Sequence, residues 1–198
     1  MSNNSYPQMK VLNTPRCILR PATLNDARDM FEYYSQDIVV RFLPIKKHKN
    51  IEETKRFIKT FFLKNYEQGK VGHFAIVYKL DNKTIGNVGF NNIKSSSLEG
   101  EIGICINPKY WGKDLSTELA SALLKYGFEE LNLQKIVAIT FEKNNYSRKP
   151  LEKLGFIYLG IFKKKLHSSN SNFVTCHRYE ISKSDYFKRF NKKYKRND

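Results

Sequence analysis

Near the N-terminus, one short apolar run is followed by two stretches with helical periodicity. Residues 17–21 (CILRP) predict a strand. The segment from Thr23 to Asp26 predicts the start of a helix, because a hydroxyl residue is followed three positions later by a carboxylate. The apolar face of this helix comprises Ala27, Met30, Phe31 and Tyr34, and that of the next helix comprises Ile51, Ile58, Phe61, Phe62 and Tyr66. The second helix is expected to end near Gly69, since glycine readily closes a helix C-terminus.

Three strand-like runs occupy the middle of the chain. They are HFAIVY (73–78), TIGNVGF (84–90) and EIGICIN (101–107). The turn formers Asp81 and Asn82 separate the first two runs, which are therefore expected to pair as an antiparallel hairpin.

The strongest helical pattern follows Pro108. Apolar residues recur at helical spacing over about three turns, which predicts a helix at 116–131. A short helix near 147–154 should stop at Gly155, where the left-handed conformation is available. The remaining predicted elements are strands at 135–140, 156–162 and 173–181.

This order of elements predicts an α/β (α+β) fold, in which a mixed sheet carries helices on its faces. We expect one domain over 11–181 and a basic C-terminal tail over 182–198, which has aromatic residues between its charges and could form a further helix.

The formal net charge of +16 over 198 residues allows two interpretations. Lysines are spread along the whole chain, which favours an ordinary solvated surface. Basic clusters at Lys46–Lys49 and in the tail, including Lys195 and Arg196, keep open a contact with RNA or the ribosome. The charge alone does not decide the function.

Other features narrow the class of protein. Apolar runs are shorter than the roughly 20 residues that span a bilayer, and the N-terminus has no apolar signal region, so we expect a cytoplasmic protein without membrane contact. Cys17, Cys105 and Cys176 are far apart and fit reduced thiols. No Cys/His spacing predicts a metal site.

Residues 101–118 (EIGICINPKYWGKDLSTE) contain the segment most suited to ligand binding. A strand ends at Pro108, and a short loop with Gly112 leads into the strongest helix. Exposed backbone amides at a helix N-terminus favour an anion, so a phosphate or pyrophosphate is the expected ligand. The loop does not match the glycine patterns of nucleotide triphosphate or dinucleotide folds.

Downstream residues make the pattern specific. NPKYWGKDLSTELASALLKYGFEELNLQKI and the later NxxSxxxLEKLGF together resemble the GNAT acetyltransferase superfamily, and more narrowly its RimJ/RimL-type, ribosomal-protein N-acetyltransferase branch. CILRPATLNDA and GNVGF match the same branch. The resemblance covers about residues 11 to 181 and implies the GNAT fold, with a mixed, mostly antiparallel central sheet flanked by helices.

The resemblance also implies acetyl-CoA as cosubstrate, without a metal. Backbone groups of Ile104 and Ile106 would hold the pantetheine and the acetyl carbonyl, Asn144 would bind the pantetheine arm, and Lys153 would lie near a phosphate. The amides expected to surround the pyrophosphate belong to Gly112, Lys113, Asp114, Leu115, Ser116 and Thr117.

Asp114 is a departure from the family, which usually has a glycine at this position. Aspartate tolerates unusual backbone dihedrals better than most residues, so the loop geometry can survive. Its carboxylate would repel a pyrophosphate unless it turns outward or pairs with a neighbouring lysine.

Acyl transfer to an amine needs a base, because amines are partly or mostly protonated at neutral pH. By family position the base is Glu101, and the alternative is a solvated carboxylate at a strand end. The tyrosine acid of many GNAT enzymes is replaced by Leu151, and the branch suggests Ser147 as the acid; the alternative is that Ser147 only caps a helix. Cys105 is expected to be a packing residue.

Other residues allow two roles each. His73 opens a strand near the expected acceptor channel, where it is a second base or a structural residue. A group of residues around the first helix lines the acceptor pocket or belongs to the core. These residues are Phe31, Tyr33, Tyr34, Phe42 and Leu43.

The acceptor stays open at this point. The resemblance favours a protein N-terminal amine, with a small amine or antibiotic as the alternative. A CoA-binding protein with impaired catalysis and a basic RNA-associated protein are the rivals from other classes. Homodimers are common in such folds, and the sequence does not decide this.

Overall fold

The computed structural model describes residues 9–41, 43–144, 146–165 and 173–194. Among the residues discussed above, Phe42 and the tail residues Lys195 and Arg196 lie outside this description.

The strands within these ranges form one sheet of eight. They are β1 Leu12–Asn13, β2 Cys17–Pro21, β3 His73–Tyr78, β4 Lys83–Lys94, β5 Glu99–Ile106, β6 Lys135–Phe141, β7 Ile157–Lys165 and β8 Phe173–Ser182. Their spatial order is β1-β2-β3-β4-β5-β6-β8-β7, and β5 with β6 is the parallel pair. The expected mixed, mostly antiparallel sheet is confirmed, and so is the β3–β4 hairpin.

Helices connect these strands. They are α1 Ala27–Tyr34, α2 Asp37–Val40, α3 Ile51–Phe57, α4 Lys64–Glu67, α5 Leu115–Lys125, α6 Arg148–Leu154 and α7 Lys183–Tyr194. A π-helical segment, Ile58–Leu63, joins α3 to α4, and another, Tyr126–Glu130, prolongs α5. The predicted helices are therefore present, with π-helical turns that the periodicity did not reveal.

Both faces of the sheet are covered. Alternate residues of β3 show this, because Phe74 and Ile76 are buried in a core shared with α5, whereas Ala75 is buried in a core shared with α1 and Ile58–Leu63. Helices on both faces were expected from the order of elements. We call the face of Ala75 the α1 face.

Local signals place the helix ends. Asp26 accepts a hydrogen bond from the backbone N–H of Thr23 at 2.7 Å, and the Asn50 side chain accepts one from the N–H of Glu53 at 2.9 Å. α6 ends at Gly155, whose φ is 89°. These interactions involve residues close together in the sequence, which is why the sequence patterns could predict helix ends.

Several strands are longer than predicted. β4 continues to Lys94 and β5 begins at Glu99, so the two strands form a long hairpin beyond the apolar run. Glu101 is therefore the third residue of its strand rather than the first. The extension was missed because its polar residues are exposed on the surface and show no apolar alternation.

α7 packs against the domain. Tyr186 is buried, and its ring centroid lies 5.0 Å from that of Phe128. The Tyr186 hydroxyl also donates to Glu129 at 3.0 Å. The part of the predicted tail around Tyr186 thus contacts the π-helical segment Tyr126–Glu130.

Candidate active site

The parallel strands β5 and β6 separate along their length. They pair only from Glu99–Ile102 with Lys135–Ala138. Beyond this point, residues 103–106 of β5 keep their β4 partners, and residues 139–141 of β6 keep their β8 partners. A cleft therefore opens between the two strands, with the backbone of Ile104 and Ile106 along its edge.

One of these backbone groups already has a partner. The carbonyl of Ile106 accepts a hydrogen bond from Trp111 Nε1 at 2.8 Å. A carbonyl oxygen has two lone pairs, so the Ile106 carbonyl can still accept a second hydrogen bond. The indole also fixes the start of the loop that leads to α5.

This loop has two residues with positive φ just before α5. They are Gly112, with φ 77°, and Asp114, with φ 53° and ψ 25°. A Cβ at Gly112 would meet nothing within 4 Å, so the loop is open on this side. α5 begins at Leu115, directly after these two residues, so the amides predicted to bind an anion lie at its first turn.

Asp114 is the N-cap of α5 and pairs with neighbouring residues. Its carboxylate accepts from the Thr117 hydroxyl at 2.6 Å and from Lys153 Nζ at 3.0 Å. These two hydrogen bonds lower the pKa of the Asp114 carboxyl group. Asp114 thus adopts the unusual dihedral that aspartate tolerates. Of the two alternatives for its carboxylate, pairing with a lysine is the one observed, and the same contact places Lys153 at the loop.

The Lys113 side chain contacts aromatic rings rather than a carboxylate. Its Nζ lies over two aromatic rings, 5.5 Å from the centroid of Tyr78 and 5.3 Å from that of Tyr110. The backbone carbonyl of Lys113 accepts from Arg16 Nη1 at 2.7 Å. Lys113 thus anchors the loop to the sheet with both its side chain and its backbone.

A cluster around Glu118 supports this anchor and was not predicted. Glu118 on α5 accepts from the Thr14 hydroxyl at 2.6 Å, from the Arg16 N–H at 2.9 Å and from Arg16 Nε at 2.6 Å. Burial raises the pKa of Glu118, but the hydrogen bonds outweigh it and the pKa is lowered. These three donors belong to two residues, Thr14 and Arg16, which meet Glu118 only in the fold, so no local motif indicates them.

Glu101 lies on β5, within the parallel pair and next to the cleft. Its Oε1 accepts a hydrogen bond from Asn91 Nδ2 at 3.0 Å. Asn91 Oδ1 in turn bonds His73 Nε2 at 2.9 Å, and His73 Nδ1 bonds Asn87 Nδ2 at 2.9 Å. Burial lowers the pKa of His73 to about 4, against a smaller opposite effect of Asn91, so the imidazole is neutral at physiological pH.

Ser147 occupies the N-cap position of α6, but its side chain makes no capping hydrogen bond. The alternative that the Ser147 hydroxyl only caps this helix is therefore not supported. Asn144 closes a turn through its backbone N–H, which donates to the Phe141 carbonyl at 2.8 Å. Asn144 also lines a pocket of about 120 Å³ together with Arg148 and His177.

The loop and α6 lie side by side. The ring centroids of Trp111 and Tyr146 are 5.3 Å apart, and Lys153 of α6 pairs with Asp114. The two segments that carried the family resemblance are thus neighbours in space, at the N-terminal end of α5.

The residues with two candidate roles are mostly core residues. Tyr33 and Tyr34 are at most 2% exposed in the core on the α1 face, and Leu43 packs against the same core. Cys105 is buried, which raises the pKa of its thiol to about 12 and makes it unreactive.

The described part of the chain shows neither a cluster of metal ligands nor a helix able to span a membrane. No group of three or more His, Cys, Asp or Glu residues there could hold a metal ion. None of the helices in the same residues is both long and apolar enough to cross a membrane.

Residues 16–157 match the model of a family described as the acetyltransferase (GNAT) domain. This match covers more than half of the chain, which therefore belongs to the GNAT family and is an acetyltransferase.

Relatives agree with this assignment. YoaA of Bacillus subtilis (strain 168), an uncharacterized N-acetyltransferase, is 30% identical over 165 residues, covering 83% of this chain and 93% of YoaA. A GNAT-family acetyltransferase structure from Bacillus anthracis has a TM-score of 0.76 and 28% identity, covering 88% of this chain and 99% of that chain. The spermidine N(1)-acetyltransferase of Escherichia coli (strain K12) is 35% identical over 80 residues, which is 40% of this chain and 43% of that enzyme.

Proposed function

We propose that the protein transfers the acetyl group of acetyl-CoA to a primary amine at the cleft between β5 and β6. The observation that carries this proposal is the position of Glu101 where the parallel strands begin to separate, on the same strand that leads into the open loop of α5. Acetyl-CoA supplies the activated acyl group and a pyrophosphate by which it can be held.

Binding of this cosubstrate rests on the loop and on the strand edge. The α5 amides and the positive φ of Gly112 suit a pyrophosphate, and Lys153 adds a cation beside them. Backbone groups of Ile104 and Ile106 suit the pantetheine, with Asn144 as a further donor or acceptor.

Glu101 is the proposed base. An acceptor amine must lose a proton before it can attack a thioester, and the Glu101 carboxylate can take this proton directly or through water. The Ser147 hydroxyl, which caps no helix, is the proposed hydrogen-bond donor to the departing thiolate.

The proposed acceptor is a protein N-terminal amine, as in the RimJ/RimL-type branch. Two carboxylates near Glu101 already form salt bridges with lysines: Glu99 lies 3.2 Å from Lys94, and Glu180 lies 3.5 Å from Lys135. A polycationic acceptor therefore gains little on this face, and the net charge of +16 repels it further. The same charge favours a target on an RNA-rich particle.

A small polyamine is the second candidate acceptor. The partial match to a spermidine N(1)-acetyltransferase favours it, although this match covers only 40% of the chain. The remaining rivals are a CoA-binding protein without catalysis and an RNA-associated protein.

The test is an acetylation assay in which acetyl-CoA is combined with an alanyl peptide, intact ribosomes or spermidine. CoA thiol release gives the rate, and mass spectrometry identifies the acetylated amine. We expect transfer to the peptide or to a ribosomal protein, and a loss of about 100-fold or more in kcat for Glu101→Gln. Glu52→Gln, an exposed carboxylate on α3, is the matched control and should retain wild-type activity.

Faster transfer to spermidine would select the polyamine alternative. Acetyl-CoA binding without transfer to any of the three acceptors would favour the non-catalytic rival. Wild-type rates for Glu101→Gln would remove Glu101 as the base.

A further inference from the structure

A continuous chain of hydrogen bonds connects the buried core under α1 to Glu101. The Tyr34 hydroxyl donates to Asn87 Oδ1 at 2.7 Å, and Asn87 Nδ2 bonds His73 Nδ1 at 2.9 Å. His73 Nε2 then bonds Asn91 Oδ1 at 2.9 Å, and Asn91 Nδ2 donates to Glu101 Oε1 at 3.0 Å. Four hydrogen bonds thus link five side chains from α1, β4, β3 and β5.

Each hydrogen bond in this chain determines which group donates and which accepts in the next one. A tyrosine hydroxyl donates to the Asn87 oxygen, which leaves the Asn87 NH₂ group facing His73 Nδ1. Nδ1 must then accept, so the proton of the neutral imidazole is on Nε2 and points to Asn91 Oδ1. The Asn91 amide is thereby held with its NH₂ group toward Glu101.

Burial of three of these side chains stabilises this arrangement of donors and acceptors. Tyr34, Asn87 and His73 are 2%, 4% and 5% exposed, so they have little access to water as an alternative partner. The His73 ring also packs against that of Phe61, with centroids 5.1 Å apart. Only the last two members of the chain, Asn91 and Glu101, reach the open surface of the sheet.

The backbone around Asn91 is adapted to this contact. The β4–β5 register shifts between Phe90 and Asn92, so Asn91 is the extra residue of a β-bulge. A Cβ at Gly103 on β5 would lie 2.7 Å from Asn91 Oδ1, so a side chain there would displace the amide. Bulges of this kind redirect a side chain and are frequent beside active sites.

We infer that Asn91 and His73 are positioning residues for Glu101. Asn91 holds Oε1 by donating an N–H, so that Oε2 is left to receive the proton of the acceptor amine, and His73 sets the orientation of Asn91. This inference rests on the proposed role of Glu101 as the base. His73 itself takes no proton in this arrangement.

The test uses near-isosteric exchanges at the exposed end of the chain. Asn91→Asp keeps an acceptor for His73 but replaces the N–H donor to Glu101 with a carboxylate oxygen. Asn82→Asp adds the same charge at an exposed turn residue with φ 47°, at the other end of β4 from Asn91, and serves as the control. Because both residues are exposed, both variants are expected to fold.

At His73, a pair of exchanges separates orientation from packing. His73→Gln can still donate an N–H toward Asn91, whereas His73→Phe fills the space without any donor. Rescue by glutamine and loss with phenylalanine would therefore be a signature of orientation and not of packing alone.

The readouts are kcat and KM with acetyl-CoA and each of the alanyl peptide, intact ribosomes and spermidine, and the Kd of acetyl-CoA by titration calorimetry. We expect kcat to fall about 10- to 100-fold in Asn91→Asp and His73→Phe, with Kd changed less than about twofold. Asn82→Asp should stay within about twofold of wild type, and His73→Gln within about fivefold. Nitrogen NMR of the wild type at neutral pH should show His73 protonated on Nε2.

Each outcome has a separate meaning. Unchanged kcat in Asn91→Asp, or a proton on His73 Nδ1, would overturn the positioning role while acetyl transfer stands. A wild type that acetylates none of the three acceptors would overturn the proposed function, and the positioning role with it.

Discussion

At the scale of single residues, Asp114 shows how the loop can keep its geometry without the glycine that is usual in the family. Its backbone has a left-handed conformation, which aspartate accepts more readily than most side chains. Its carboxylate is held by Thr117 and Lys153, which partly offset its charge. Since Asp114 and Lys153 are both more than half exposed, solvent screens this pair and it contributes little to stability.

His73 is a residue whose burial should appear in the pH dependence of stability. An unfolded histidine takes up a proton near pH ~6.5, whereas folded His73 does so only at about pH 4. Between these values the unfolded state binds more protons, so the free energy of unfolding falls as the pH is lowered. The full loss, reached below about pH 4, is about 3 kcal/mol.

Denaturant unfolding of wild type and His73→Gln between neutral pH and pH ~4 measures this contribution. We expect the stability difference between the two proteins to shift in favour of the variant as the pH falls. Burial also lowers the pKa of His48, but His48 is present in both proteins and its effect cancels. The same pH dependence in both proteins would contradict the assignment.

At the scale of elements, Glu118 connects α5 to the segment between β1 and β2. The carboxylate accepts three hydrogen bonds from Thr14 and Arg16, and its side chain is only 13% exposed. Because Arg16 also donates to the carbonyl of Lys113, the Glu118 cluster is connected to the loop before α5.

Glu118→Gln should lower the free energy of unfolding by about 2 kcal/mol, because hydrogen bonds to a charged acceptor are replaced by weaker ones. The folded pKa of Glu118 is lowered, so its contribution is complete above the unfolded value of about 4.3 and is lost as the pH falls through the folded pKa. Denaturant unfolding of the variant near neutral pH and in acid measures both effects.

The matched control is Glu53→Gln, which removes a carboxylate that accepts from the Lys49 backbone N–H on the exposed surface. It should change stability by less than about 1 kcal/mol near neutral pH. Equal effects of the two exchanges would show that the Glu118 contacts do not stabilise the fold.

The elements also show what the sequence could predict. The β3 strand, the α5 helix and the stop at Gly155 follow from periodicity and from local conformational preferences, which short stretches of sequence express. The bulge at Asn91 could not be predicted, because it depends on the register with β5, a partner strand reached only in the fold.

At the scale of the whole molecule, the loop and the later helix were recognised as parts of one site by family resemblance, and the structure brings them together through Asp114 and Lys153. The chain of hydrogen bonds behind Glu101 was missed. His73 and Asn87 lie within apolar strand patterns, and nothing in the sequence places Asn91 between His73 and Glu101. Polar residues in buried strands are the signal that could have indicated it.

The central claim, that the loop before α5 binds acetyl-CoA, is tested most directly by titration calorimetry with acetyl-CoA. Gly112→Val forces a β-branched residue into φ 77° at the proposed pyrophosphate site. Gly69→Val is the matched control, since Gly69 has φ 65° at another helix end and a Cβ there would also meet nothing within 4 Å. We expect a micromolar Kd for the wild type and for Gly69→Val, and a Kd raised about tenfold or more in Gly112→Val. No binding by the folded wild type, or equal binding by both valine variants, would contradict the account.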